Sequence, residues 1–292
     1  MCARMRHARI AARICRHGWR HGQDRGTMRS MKTALIFADI DNTVWDWQHE
    51  LPDSTREAFA RLKEKGHFVF LNSGRSRGHI FDPKLISLPM KGIVAACGTH
   101  IEADGKLLYE QYLPWDVLQK ALALLREESM PYILEGAEYL WLNTEEFGHD
   151  AYVQRLWTEL GARAKRMEEL TPEDRVNKFS AAATKKTDMA RIERELDGTF
   201  TLLKHNETVA EFIPAGSGKG VGIERVCRLF DIPRENTYAI GDSVNDLDML
   251  RYAAHGICMG NGTDIAKEAA EYVTDDLHAD GFLHAMEHYG LI

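Results

Sequence analysis

Cysteine is scarce in this chain and no apolar run is long. The five cysteines, Cys2, Cys15, Cys97, Cys227 and Cys258, are odd in number, scattered and never spaced C-x-x-C, which argues against a disulfide framework and a thiolate zinc site. A reducing, cytoplasmic setting is the expectation. Apolar stretches such as Thr33 to Ile40 are strand-sized and interrupted, short of the roughly 20 residues needed to span a bilayer, so no membrane span is expected. There is no internal repeat and no low-complexity segment. Basic charge is confined to one end: residues 1–32 hold eight Arg and Lys32 against the single acid Asp24, a net of about +8. Set against −7 for the whole chain, the remaining 260 residues carry about −15, so the folded body is not expected to bind nucleic acid.

What is present is an ordinary globular composition, 44% hydrophobic and 28% charged over 292 residues, enough for one large domain or two modest ones. Residues 1–30 are Arg-rich and lack the apolar core of a secretory signal. They read as a transit peptide, a basic arm for RNA or an anionic surface, or an extension ahead of a start at Met28 or Met31. The last is favoured, because Met31-Lys32-Thr33 leads straight into the first strand-like run, and residues 1–30 are therefore expected to stand outside the native fold.

From Met31 onward strand and helix patterns alternate. Ala34–Ala38, His67–Asn72 and Ile93–Ala96 are short apolar runs. Between the first two, Asp53-Ser54-Thr55 offers helix caps, Ala58, Phe59 and Leu62 have helical spacing, and Gly66 supplies a stop. The pattern resumes at Gly218–Phe230, with strand-like runs at 238–240, 256–259 and 272–273. Short apolar strands separated by helices predict an α/β fold with a doubly wound, parallel, Rossmann-like sheet. Between about Leu107 and Phe212 strand-like runs instead come in pairs, as in an inserted α+β module. The expected organisation is a core from 31–106 and 214–292, with a cap at 107–213.

Conspicuous polar residues follow the predicted strands: Asp39 and Asp41 the first, Ser73 and Gly74 the second, and Gly241-Asp242-Ser243-Val244-Asn245-Asp246 a later one. Ligands bind at such strand ends in open parallel sheets. Residues two apart leave a strand in the same direction, so Asp39 and Asp41 could address one cation or one phosphorus atom. Alone the pair is weak evidence, since acidic pairs also open turns and cap helices. Several acids in one pocket call for a cation, and an all-oxygen ligand set favours Mg²⁺ over zinc. Lys219, at a predicted helix start, could supply fixed positive charge or could be a solvated first-turn lysine. It is not a P-loop lysine, because Ile213 stands at the first glycine position and Gly220 at the hydroxyl position.

Taken together, D-x-D-x-T at Asp39 to Thr43, Ser73-Gly74-Arg75, the isolated Lys219 and G-D-S-x-N-D at Gly241 to Asp246 resemble the four motifs of the haloacid dehalogenase-like superfamily. The long insertion, the Cys97-Gly98-Thr99 turn and the Ala279-Asp280-Gly281-Phe282 ending resemble its Cof-type, class IIB branch. The resemblance implies a magnesium-dependent phosphatase for a small phosphorylated metabolite such as a sugar phosphate, nucleotide or cofactor phosphate. By it, Asp39 is the nucleophile and Asp41 the acid/base. Mg²⁺ would be held by the Asp39 carboxylate, the Asp41 main-chain carbonyl, Asp242 and Asp246, and the phosphate by Ser73, Gly74, Lys219 and Asn245. A sugar phosphomutase, or a non-catalytic protein on the same scaffold, is the alternative; the oligomeric state is not legible.

Departures from the family pattern bear on particular residues. Asn42 replaces a usual glycine and tolerates left-handed backbone angles, whereas Cys97 stands where the branch often has Asn. Trp45 and Trp47 are expected to pack rather than to carry substrate, and the cap aromatics Tyr132, Tyr139, Trp141 and Trp157 likewise. Asp248 and the Asp275-Asp276 pair are expected to be surface charge, and His284 and His288 a solvated helix face. Arg75 is open between an ion pair and a substrate contact.

Overall fold

The computed structural model describes residues 32–148 and 151–292. The expectations for residues 1–30 lie outside these. Two sheets organise the chain. The strands are β1 Leu35–Ala38, β2 Phe68–Asn72, β3 Gly92–Ala95, β4 His100–Ala103, β5 Lys106–Glu110, β6 Tyr132–Gly136, β7 Leu140–Leu142, β8 Ala164–Arg166, β9 Val176–Ala182, β10 Phe200–Lys204, β11 Val209–Pro214, β12 Thr237–Gly241, β13 His255–Cys258 and β14 Tyr272–Val273. The larger sheet runs β14-β13-β12-β1-β2-β3-β4-β5 and the smaller β10-β11-β9-β6-β7-β8. From β14 to β3 every neighbouring pair is parallel, as the βαβ pattern predicts, while β4 and β5 close that edge as an antiparallel hairpin. The smaller sheet is antiparallel except between β7 and β8.

Side-chain alternation gives the larger sheet two apolar faces. Ile36, Ala38, Val69, Leu71, Ile240 and Ile257 meet the helices Asp53–Glu64 and Gly281–His288 through Phe59, Leu62, Phe282 and Met286. Leu35, Phe37, Phe70, Val94 and Ala239 pack on the opposite side against Ile223 and Val226 of the helix Lys219–Phe230. This is a doubly wound α/β layer, and its central β1 is buried from end to end. The smaller sheet sets Leu134, Phe179, Ala181 and Phe212 against the helices Trp115–Glu127 and Met189–Leu196. Its other face turns towards the larger sheet. Among the described residues no helix is long and apolar enough to cross a membrane.

Candidate active site

Strands β12, β1 and β2 are parallel neighbours, so their carboxyl ends open on one edge of the larger sheet. Asp39 leaves β1, Ser73 leaves β2 and Asp242 leaves β12. The Asp39 N–H still donates to the Ile240 carbonyl at 3.0 Å, which fixes Asp39 beside the Gly241 turn. Alternation puts Asp39 on the face of Leu35 and Phe37, where the helix starting at Lys219 packs. Lys219 is 1% exposed, and its ammonium donates to Asp39 Oδ1 and to Asp246 Oδ1, both at 2.6 Å. The solvated alternative for this lysine is thereby removed.

Asp246 folds back beneath its own loop. Its Oδ2 accepts from the N–H of Asp242 at 2.9 Å and of Ser243 at 3.0 Å. A Cβ at position 241 would lie 2.5 Å from the Asp246 carboxyl carbon, so glycine there lets the carboxylate reach the turn. Oxygens of Asp39, Asp242 and Asp246 lie within 4.8 Å of one another. Burial, then the charge of Asp246, raises Asp39 well above the ordinary carboxylate range despite the pull of Lys219. Burial and Asp246 likewise push Asp242 up to about 7. Burial would lower Lys219, but Asp246 and Asp39 outweigh it and keep the ammonium charged. Three buried carboxylates draw on one ammonium, so the cluster is short of positive charge, and an all-oxygen set of this spacing fits a hard divalent cation.

The Asp41 carboxylate faces elsewhere. Arg75 grips it with two bonds, Nε to Oδ2 at 2.8 Å and Nη2 to Oδ1 at 2.7 Å, and the Trp45 indole N–H adds a third to Oδ1 at 3.1 Å. Burial works to raise this acid, but the charge and hydrogen bonds of Arg75, with the Trp45 bond, hold it below the usual range. Arg75 is thus an ion-pair residue in this structure. Trp45 is buried, as expected, and stacks on His49 with ring centroids 4.2 Å apart, yet it also donates to Asp41. Trp47 corrects the packing expectation: it is 68% exposed and stands at the rim of the cavity, because its segment turns outward beyond Asp46. Asn42 has the left-handed backbone expected of it, with φ of 55°.

Ser73 is buried, its Oγ accepting from the Arg75 N–H at 3.1 Å, and Gly74 follows it. Both line a cavity of about 970 Å³ together with Asp39, Asp41, Asp242 and Asn245. The opposite wall comes from the smaller sheet, including Tyr132, Glu135, Lys178 and Glu211, and from Arg155 of the helix Ala151–Leu160. The size suits a small ligand enclosed between the two sheets. His284 and His288 share no site: the first bonds Asp275 and the second stacks on Tyr272.

Residues 36–286 match the sequence family described as haloacid dehalogenase-like hydrolase. The chain belongs to that family. Among relatives of this haloacid dehalogenase-like hydrolase, YkrA of Bacillus subtilis (strain 168), whose phosphatase name is provisional, is 28% identical over 279 residues, 90% of this chain and all of that one. The 5-amino-6-(5-phospho-D-ribitylamino)uracil phosphatase YitU of the same organism is 26% identical over 269 residues, 88% of this chain and 98% of that one. A solved structure, the subclass IIB sugar phosphatase BT4131, superposes with a TM-score of 0.76 at 25% identity, covering 89% of this chain and 100% of that chain. The chain is accordingly placed in the subclass IIB branch, and as an enzyme it is a hydrolase of the phosphatase kind.

Two further residues of this hydrolase hold Lys219 in place and escape a reading by motif. Asn72 Nδ2 donates to the Lys219 carbonyl at 3.2 Å. Asp248, expected as free surface charge, accepts from the Gly220 N–H at 2.9 Å and so ties down the first turn of the Lys219 helix. The G-D-S-x-N-D motif ends two residues before Asp248, and only the packing of one helix start on the other gives it this task.

Proposed function

We propose that the chain is a magnesium-dependent phosphatase of a small phosphorylated metabolite, with residues 31–106 and 214–292 as the catalytic core and 107–213 as a lid, save that the whole of β5, Lys106–Glu110, pairs into the larger sheet and so goes with the core. The reading rests chiefly on the convergence of Asp39, Asp242 and Asp246 around one point, with the Lys219 ammonium between two of them. Mg²⁺ would be held by the carboxylates of Asp39 and Asp242 and the carbonyl of Asp41, with Asp246 in support; when bound it neutralises charge on the phosphoryl oxygens. The free, buried thiols of Cys97, Cys227 and Cys258 suit a reducing, cytoplasmic setting.

In this mechanism an Asp39 carboxylate oxygen attacks phosphorus and the ester P–O bond breaks, leaving an aspartyl-phosphate. Asp41 gives its proton to the departing oxygen. A water then loses a proton to Asp41 and attacks phosphorus, which releases phosphate and restores Asp39. Ser73, the Gly74 N–H and Asn245 bind the phosphoryl oxygens, and Lys219 offsets their charge from behind Asp39. The grip of Arg75 and Trp45 favours the ionised Asp41 that activates water, so the proton-donating step needs that grip to loosen.

Two outcomes are expected. Phosphate release from a panel of sugar phosphates, nucleotides and pyridoxal phosphate stops on chelation and returns with Mg²⁺ but not with Ca²⁺, whose longer bonds and higher coordination number suit this tight site poorly. Release that continues in chelator would overturn the metal assignment. Trp45→Phe keeps the ring stack and loses one bond to a charged carboxylate, which predicts about a tenfold fall in kcat with KM little changed. A change confined to KM would show that the indole does not act through Asp41.

A further inference from the structure

We propose that Asn261 is a positioning residue for the metal site, the centre of a strap that fixes the turn after β1 against the turn after β12 and so sets the affinity for Mg²⁺. The proposal rests on the metal assignment of the phosphatase reading and adds to it a loop outside the four motifs.

The need for a strap follows from where the ligands stand. Mg²⁺ demands near-octahedral geometry with oxygens at about 2.1 Å, so small shifts between its ligands cost affinity. The Asp41 carbonyl and the Asp242 carboxylate belong to separate turns, beyond the ends of β1 and β12. The bond from the Asp39 N–H to the Ile240 carbonyl ties the two strands just before the site. Past it the direct contacts are long. Asn42 Nδ2 lies 3.5 Å from Asp242 Oδ2, and Thr43 Oγ1 lies 3.5 Å from Asp242 Oδ1, at the outer limit of a hydrogen bond.

Loop 259–263, which follows β13, spans this gap. The Met259 N–H donates to the Gly241 carbonyl at 3.0 Å and the Thr263 N–H to the Asp242 carbonyl at 2.8 Å, with Thr263 Oγ1 donating to the same carbonyl at 3.3 Å. Since Asp246 holds the Asp242 N–H, the main chain of Asp242 is fixed on both sides. Midway along the loop, Asn261 Nδ2 donates to the Asn42 carbonyl at 2.8 Å, one peptide group beyond the Asp41 carbonyl. The loop is anchored from behind as well: Asn261 Oδ1 accepts from the Leu277 N–H at 2.9 Å, and the Gly260 N–H donates to the Asp275 carbonyl at 3.0 Å. A Cβ at position 262 would lie 2.9 Å from the Asp242 carbonyl oxygen and 2.5 Å from Cys258 Sγ, so glycine there lets the loop come this close.

Asn261 is exposed, so it fills no part of the core and its truncation leaves no cavity. Yet its amide spends both ends on main-chain groups of two distant segments. Asn42 carries the left-handed backbone that costs a residue with a Cβ, and the bond to its carbonyl helps to hold that turn. The strap therefore joins the turn bearing the Asp41 carbonyl to the turn bearing Asp242 through a third loop, and this is the task of a group that orients metal ligands without touching the metal.

The test titrates Mg²⁺ into the full chain without substrate, by calorimetry, beside melting curves in chelator. Asn261→Ala is expected to weaken Mg²⁺ binding about tenfold, the lower end of the range for residues that orient metal ligands. Its metal-free melting temperature falls by only about 2–4 °C, because the two bonds lost are near the surface. Thr263→Val removes the longer bond, keeps the N–H, and is expected to weaken binding about threefold. Excess Mg²⁺ restores most of the phosphate release that either variant loses at low Mg²⁺. Binding of Mg²⁺ to Asn261→Ala as tight as to the unaltered chain would overturn the strap, whatever the melting temperature does, and would leave the phosphatase reading intact. No binding of Mg²⁺ by the unaltered chain would remove the metal assignment and the strap together.

Discussion

Asp39→Asn is expected to reduce Mg²⁺-dependent phosphate release by about 10⁴-fold or more while raising the melting temperature of the metal-free protein. The amide keeps the shape of the carboxylate but cannot form the aspartyl-phosphate, so the two-step route is closed and only binding and charge neutralisation remain. Stability moves the other way because burial and Asp246 push Asp39 well above its ordinary range. A carboxyl with a raised folded pKa is one whose charge the fold disfavours at neutral pH, and asparagine removes that charge. Lys219 keeps its bond to Asp246 and is not orphaned. A gain of about 1 kcal/mol corresponds to roughly 2–4 °C for a chain of this size. Melting curves in chelator and burst kinetics with excess enzyme test both halves. Turnover that survives in this variant sinks the nucleophile assignment, and an unchanged melting temperature sinks the electrostatic account of the pocket.

How much of this site is legible from residues alone depends on how local each constraint is. Asp39, Ser73, Asp242 and Asp246 are readable because each occupies a fixed offset from a strand end, and a parallel sheet gathers its strand ends without further instruction. Lys219 is only half legible: its place at a helix start shows, but its burial between Asp39 and Asp246 depends on how that helix packs across β1. The two grips on Asp41 differ in the same way. Trp45 lies four residues from Asp41, inside an apolar run that reads as packing, and the indole hydrogen bond leaves no trace in hydropathy. Arg75 reaches Asp41 from a neighbouring strand end, so its choice of partner is a property of the sheet order β1-β2. Least legible is the wall of Glu135, Lys178 and Glu211. Its members come from three strands whose order in the sheet, β11-β9-β6, differs from their order in the chain, and singly each is an ordinary charged residue in a strand.

Replacing Lys219 by methionine is expected to be the most damaging single change to the fold and to activity together. The side chain is fully buried and its ammonium is shared by two carboxylates, so its loss leaves Asp39 and Asp246 buried without a counter-charge. Breaking a buried pair in this way typically costs about 3–5 kcal/mol. The pH dependence fixes the cause. Without the ammonium, Asp39, already raised, goes higher, so the folded variant holds a proton that the unfolded chain releases. Stability then falls as pH rises from the unfolded carboxylate range towards the raised folded value, and the deficit against the unaltered protein is larger at about pH 8 than at about pH 5.5. Mg²⁺ narrows the deficit, because a divalent cation restores part of the missing charge and binding to the folded state adds stability by mass action. Activity falls by about 10³-fold, since the ammonium that offsets charge behind the reacting phosphoryl group is gone. Lys219→Arg gives little rescue: a planar guanidinium needs more room than a fully enclosed ammonium leaves. Thermal melts at the two pH values, each with and without Mg²⁺, decide the matter. A deficit independent of pH and of metal would mean that the lysine serves by packing its aliphatic stem, and the electrostatic reading of the Asp39, Asp242 and Asp246 cluster would fall with it.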